Sequence, residues 1–169
     1  MGPHRGSEGL GLVKIAVFVI ENVLAHGDDL RQVTATKLAK PLYDAVRSQF
    51  NTIALTKADE EIARWWLKRE RLHNWGLVSA WPQDLLGFNQ WRIDQVRFFL
   101  SDGWEIGLYF DSEDMVLAHV SELGVATMKM SYPAKAVGWK DPEMSAPRSW
   151  EVLAATVEGT HQEADDGTG

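Results

Sequence analysis

Between residues 12 and 133 short apolar runs alternate with stretches whose apolar residues recur at helical spacing. Leu12 to Ile20 is β-branched and nearly continuous, the pattern of a strand buried on both faces. Pro41 to Phe50 predicts a helix, with Pro41 in its first turn and Leu42, Ala45, Val46 and Phe50 on one face. Asn51 to Thr56 is a second strand. Asp59-Glu60-Glu61 then places acid at the start of a helix running to about Leu72, with Ile62 and Trp66 inward and Trp65 a further candidate for that face.

Gly76 to Ala80 reads as a third strand and Trp91 to Leu100 as a helix with Ile93, Val96 and Leu100 on its core face. Ile106 to Phe110 is a fourth strand, ending at Asp111. Ser112 is the expected N-cap of a helix carrying Val116, Val120 and Leu123, which Gly124 stops. Val125 to Met130 closes the series. Such alternation predicts a parallel sheet of about five strands joined by right-handed crossovers, a three-layer α/β domain of Rossmann-like type.

The ends read differently. Residues 1–11 are Gly-rich and suit a flexible arm, and 134–169 form an extension expected to be largely disordered apart from a short helix at Ser149 to Val157. The chain of 169 residues suits one main core, taken as 12–133. The longest apolar stretch, Leu10 to Ile20, holds Lys14 and falls short of the roughly 20 residues of a spanning helix. Neither a signal peptide nor a myristoylation pattern fits the start, so the expected address is the cytoplasm.

Charge and composition narrow the chemistry. With 17 basic and 24 acidic residues the formal charge is −7, which argues against a broad footprint on duplex nucleic acid. The absence of cysteine removes disulfides, thiolate zinc sites and thiol catalysis. Three strands end in polar residues: Glu21-Asn22, Thr56-Lys57 and Asp111-Ser112. In an open parallel sheet these ends are where ligands bind.

Those residues carry a family resemblance. Phe18-Val19-Ile20-Glu21-Asn22-Val23-Leu24 resembles the first motif of haloacid dehalogenase-like (HAD) phosphatases, a hydrophobic strand followed by D-x-D-G-T-L. Ile53-Ala54-Leu55-Thr56 is similar to the second motif, and Leu108-Tyr109-Phe110-Asp111-Ser112 to the fourth. Arg92 stands where the third-motif Lys is expected. TKADEEIARWWLKRERL resembles a segment of small members without a cap domain, including polynucleotide 3′-phosphatase-like domains. The flavour is also that of small HAD-like proteins of tailed phages of actinobacteria, which implies a phage accessory protein in the host cytoplasm.

The resemblance assigns roles and withdraws one. Glu21 matches the general acid/base, Thr56 and Arg92 the phosphate-binding groups, and Asp111 the Mg²⁺ ligand. Val19 stands where the family carries its attacking Asp, and a hydrocarbon neither attacks phosphorus nor holds metal. Asn22 replaces the turn Gly and is a residue that tolerates a left-handed backbone. Losing the nucleophile of a covalent mechanism costs about 10⁴–10⁶ in rate. One carboxylate holds Mg²⁺ weakly.

The implied function is a catalytically degenerate binding or regulatory module, its partner a protein or a phosphorylated small ligand. The alternative is a Mg²⁺-dependent phosphatase on nucleotides or polynucleotide ends that uses Glu21, Thr56, Arg92 and Asp111. The same acid–Thr pattern fits phospho-receiver domains less well, because Thr56 stands where those need an Asp.

The remaining constellations are plainer. His4, His26, His73, His119 and His161 show no metal spacing, and nucleotide-binding glycine motifs and G-x-S-x-G are absent. Trp65 and Trp66 are adjacent, so one of them faces a rim or a partner. Interleaved with Arg64, Lys68, Arg69 and Arg71, these aromatics suit stacking on single-stranded bases, a protein contact, or a solvated helix face anchored by Trp.

Overall fold

The computed structural model describes residues 14–83 and 86–131; the N-terminal arm, Leu12, Val13, the Ser149 to Val157 helix and the extension lie outside them. The elements are β1 (Lys14–Val19), α1 (Ala39–Arg47), β2 (Asn51–Thr56), α2 (Glu60–Arg69), β3 (Leu77–Ala80), α3 (Phe88–Ser101), β4 (Glu105–Asp111), α4 (Asp114–Glu122) and β5 (Thr127–Lys129). They form one five-stranded sheet of order β3-β2-β1-β4-β5, parallel throughout. Right-handed crossovers then put α1 and α2 on one face and α3 and α4 on the other. The domain is the three-layer Rossmann-like α/β architecture expected from the alternation.

The apolar runs form central strands because both of their faces are covered. In β1 every residue after Lys14 is buried, and β2 repeats this after Asn51. Phe18 and Phe110, in register on β1 and β4, stack with centroids 4.3 Å apart. Trp75 meets Phe18 edge-on and stacks on Tyr43 of α1 at 4.4 Å. Offset and edge contacts of this kind add to the area they bury. The β1–β4 register shifts at Ile15/Ala16, skipping Gly107. A Cβ at Gly107 would lie 2.3 Å from Phe50 Cε1, so any larger residue there would have to displace the Phe50 ring.

Helix boundaries differ from the periodicity for local reasons. α1 starts two residues early and stops at Arg47, where the Ser48 hydroxyl bonds the Ala45 carbonyl. α2 closes in a Schellman turn: Arg71 has φ 61°, its amide donates to Lys68 O, and the Leu72 amide donates to Leu67 O. Trp66 is buried and Trp65 half exposed. α3 begins at Phe88 behind an extended Gly87, so Arg92 lies one turn inside it, not at its head. Ser112 is not the cap of α4. Glu113 holds that position without a side-chain bond, and the Asp111 carboxylate accepts the Ser112 and Glu113 amides that lead into the helix. Among the described residues no helix is long and apolar enough to cross a membrane.

Candidate functional site

The sheet order reverses between β1 and β4, since the chain leaves β1 toward β2 on one side and reaches β4 on the other. Such a switch point leaves a crevice beyond the strand ends. Here it is a small cavity of about 170 Å³ lined by Glu21, Asn22, Asp28, Lys57, Phe88, Asn89, Arg92, Ser112 and Glu113. Glu21 and Arg92 line it directly. Thr56 and Asp111 stand just behind, each bonded to one of those two. Val19 is fully buried as the last residue of β1, paired with Leu55 of β2, and is not among the lining residues.

Glu21 is buried just past β1. Its Oε1 accepts the Thr56 hydroxyl at 2.6 Å, the Lys57 amide at 3.0 Å and the Ala58 amide at 3.3 Å. The three donors belong to the last residue of β2 and the first two of the turn that leads to α2. Oε2 is buried without a partner. Next to it Asn22 takes φ 60° and donates from its amide nitrogen to Asp28 Oδ1 at 2.9 Å, fixing the turn where the resemblance puts glycine.

Burial pushes the Glu21 carboxyl up from the ordinary glutamate value, against the lowering pull of the Thr56 hydroxyl and the backbone amides. A carboxyl raised on folding contributes fully only below its unfolded pKa, and that contribution fades as pH rises through the folded value. Glu21→Gln keeps an oxygen for the three donors and has no charge to bury. Its stability relative to the unsubstituted chain is therefore expected to improve between about pH 4 and pH 8, by on the order of 1 kcal/mol. Urea midpoints at the two pH values measure this. A difference that does not move with pH means Glu21 buries no charge.

The second centre is a buried ion pair. Arg92 Nη1 donates to Asp111 Oδ1 at 3.0 Å, with both side chains almost fully buried. Arg92 Nη2 donates to Asn89 Oδ1 at 2.6 Å, and the guanidinium lies 4.4 Å from the Phe88 ring centroid. Its Nε is buried without a partner. Asp111 Oδ2 accepts the Tyr109 hydroxyl at 2.8 Å. Burial pushes the Asp111 carboxyl up from its ordinary value, opposed by Arg92. Burial and then the Asp111 charge push the Tyr109 phenol well up.

This arrangement bears on the metal that the resemblance implies. Mg²⁺ needs oxygen lone pairs in near-octahedral array. Asp111 already spends both oxygens on a guanidinium, two amides and a phenol. Among the described residues no group of three or more His, Cys, Asp or Glu is placed to hold a metal. The donor set does not fit the ion. His119 is exposed and bonds the Met115 carbonyl of its own helix.

Sequence reading did not single out Asn89, Phe88, Tyr109 or Asp28. Phe88 and Asn89 are the first two residues of α3, four and three positions before Arg92, a spacing that places them on the Arg92 face once the helix is extended back. Tyr109 lies two residues before Asp111, on the same face of β4. Asp28 reaches Asn22 through a loop that carries no periodic signal.

No family model matches the sequence, and no curated protein is significantly similar to it. Solved structures are similar in fold. One chain of the Pnkp1/Rnl/Hen1 RNA repair complex superposes with a TM-score of 0.60 at 14% identity, covering 73% of this chain and 44% of that one. A chain from another structure of the Pnkp1/Rnl/Hen1 complex gives 0.60 at 16% identity, covering 73% and 48%. The chain thus spans less than half the length of either, and at these identities what it shares with them is the α/β fold.

Proposed function

We propose that this chain is a catalytically degenerate HAD-like domain that works as a binding or regulatory module. One observation carries the reading: Glu21 Oε1 takes the Thr56 hydroxyl and the two amides that follow it. In the resembled phosphatases a Thr at this strand end serves the substrate phosphate. Here the chain's own carboxyl uses that donor. Arg92, the second phosphate-binding candidate, spends its charge on Asp111. Val19 adds a hydrocarbon at the attacking position. A binding crevice is left, with its phosphate chemistry internally satisfied.

A second reading keeps catalysis: a phosphatase acting on nucleotides or polynucleotide ends through Glu21, Thr56, Arg92 and Asp111. The fold likeness to chains of an RNA repair complex favours it. Purified protein with Mg²⁺, a generic phosphomonoester and a 3′-phosphorylated oligonucleotide separates the two. No turnover above blank is expected. Turnover that disappears in Asp111→Ala overturns the binding-module reading. Activity gained by a folded Val19→Asp variant identifies position 19 as the step at which chemistry was lost.

A further inference from the structure

We propose that the strand-end crevice is a socket for a guanidinium or ammonium side chain carried by a basic segment of a partner protein. The inference rests on the binding-module reading above and gives that site a ligand class. Its first support is the polarity of what the crevice still offers. The Thr56 hydroxyl and the Lys57 and Ala58 amides are consumed by Glu21 Oε1, while Oε2 of the same buried carboxyl has no partner. Asp28 and Glu113 also line the crevice and add two carboxylates to it. Against these three acids stands Lys57, since Arg92 is matched by Asp111. An anion meets repulsion here, whereas a cation meets a buried acceptor that lacks a donor.

The size is right for one side-chain head: about 170 Å³ is on the order of five waters. A second orphan decides between a peptide and a free cation. Arg92 Nε is a buried donor without a partner, on a residue lining the same crevice. A peptide supplies both complements, a cationic head for Glu21 Oε2 and a backbone carbonyl for Arg92 Nε. A polyamine or a metal ion supplies only the first. An orphan left buried is costly, so the occupant that satisfies both is favoured.

There is also a way in. Asp28 and Lys57 line both the crevice and a shallower groove of about 390 Å³, whose walls add the carboxylates Asp29 and Asp59 and the ring of Trp81 against one further cation, Arg31. Aromatic faces beside carboxylates suit cationic side chains. Residues 12–133 carry 16 acidic against 13 basic side chains, an excess of acid that favours the approach of such a segment.

Fluorescence anisotropy with a labelled peptide of alternating Arg and Gly tests this, beside the same peptide with Glu for Arg and a labelled single-stranded oligonucleotide. The basic peptide is expected to bind with an affinity that falls with salt. Glu21→Gln should weaken it at least about tenfold. Asp28→Asn with Glu113→Gln should weaken it similarly without touching a buried residue. Asp102→Asn with Glu122→Gln, which removes the same charge at the far ends of α3 and α4, should leave binding within about twofold. Equal loss in the two double variants, binding of the oligonucleotide in preference to the peptide, or no peptide binding overturns the socket. Phosphatase turnover sinks the module reading itself, whereas absent turnover with absent peptide binding sinks only the socket.

Discussion

Arg92→Met is expected to destabilise the domain by about 3–5 kcal/mol, the cost of removing one partner from a buried ion pair. Met keeps most of the stem volume over Phe88, so the loss is electrostatic more than steric. What remains is Asp111, fully buried, with its two amides and the Tyr109 phenol but no cation. Two further measurements fix the cause. The loss should be smaller at pH 4 than at pH 8, because Asp111, already pushed up by burial, then rises further without Arg92 and is neutral in acid. The double variant Arg92→Met with Asp111→Asn should be more stable than Arg92→Met alone, since Asn still accepts the amides and carries no charge. A pH-independent loss, or a double variant worse than the single one, would show that Arg92 matters by packing.

Trp66→Ala is expected to cost about 3–5 kcal/mol, while its neighbour Trp65→Ala costs about 1 kcal/mol or less. Trp66 is wholly buried and its indole N–H donates to the Val33 carbonyl at 2.9 Å, so truncation opens a cavity and removes a donor. Trp65 is half exposed, with the Arg69 guanidinium 4.8 Å from its ring centroid as its main partner. Urea unfolding of the two variants measures the contrast directly. Similar losses would mean that Trp65 is buried in solution and that α2 is rotated from the orientation described.

These two expectations mark where sequence reading succeeds and stops. The strands were legible in Lys14–Val19 and Asn51–Thr56 because burial on both faces demands unbroken apolar runs. Helix positions followed the apolar stripe, while their ends did not. Glu113 rather than Ser112 stands at the N-cap of α4, and a left-handed Arg71 ended α2 where no glycine announces a stop. Adjacent Trp65 and Trp66 demanded that one face out, and only the packing of α2 says which.

The candidate site divides the same way. That Glu21, Thr56, Arg92 and Asp111 stand at strand ends or on the helix before one is a matter of sequence, as is the hydrocarbon at position 19. Which of them bond to one another is not: Thr56 lies 35 residues from Glu21 and Asp111 lies 19 from Arg92. Hydrogen bonds of that span depend on how the crossovers lay β2 and β4 on either side of β1. Local patterning therefore determined the elements, their order and the polar residues at their ends. The tertiary structure decided that Glu21 bonds the Thr56 turn, that Arg92 and Asp111 neutralise each other, and that one oxygen and one nitrogen are left facing no partner. Partner choice depends on distances between distant parts of the chain, and those exist only once the sheet has closed around its central strand.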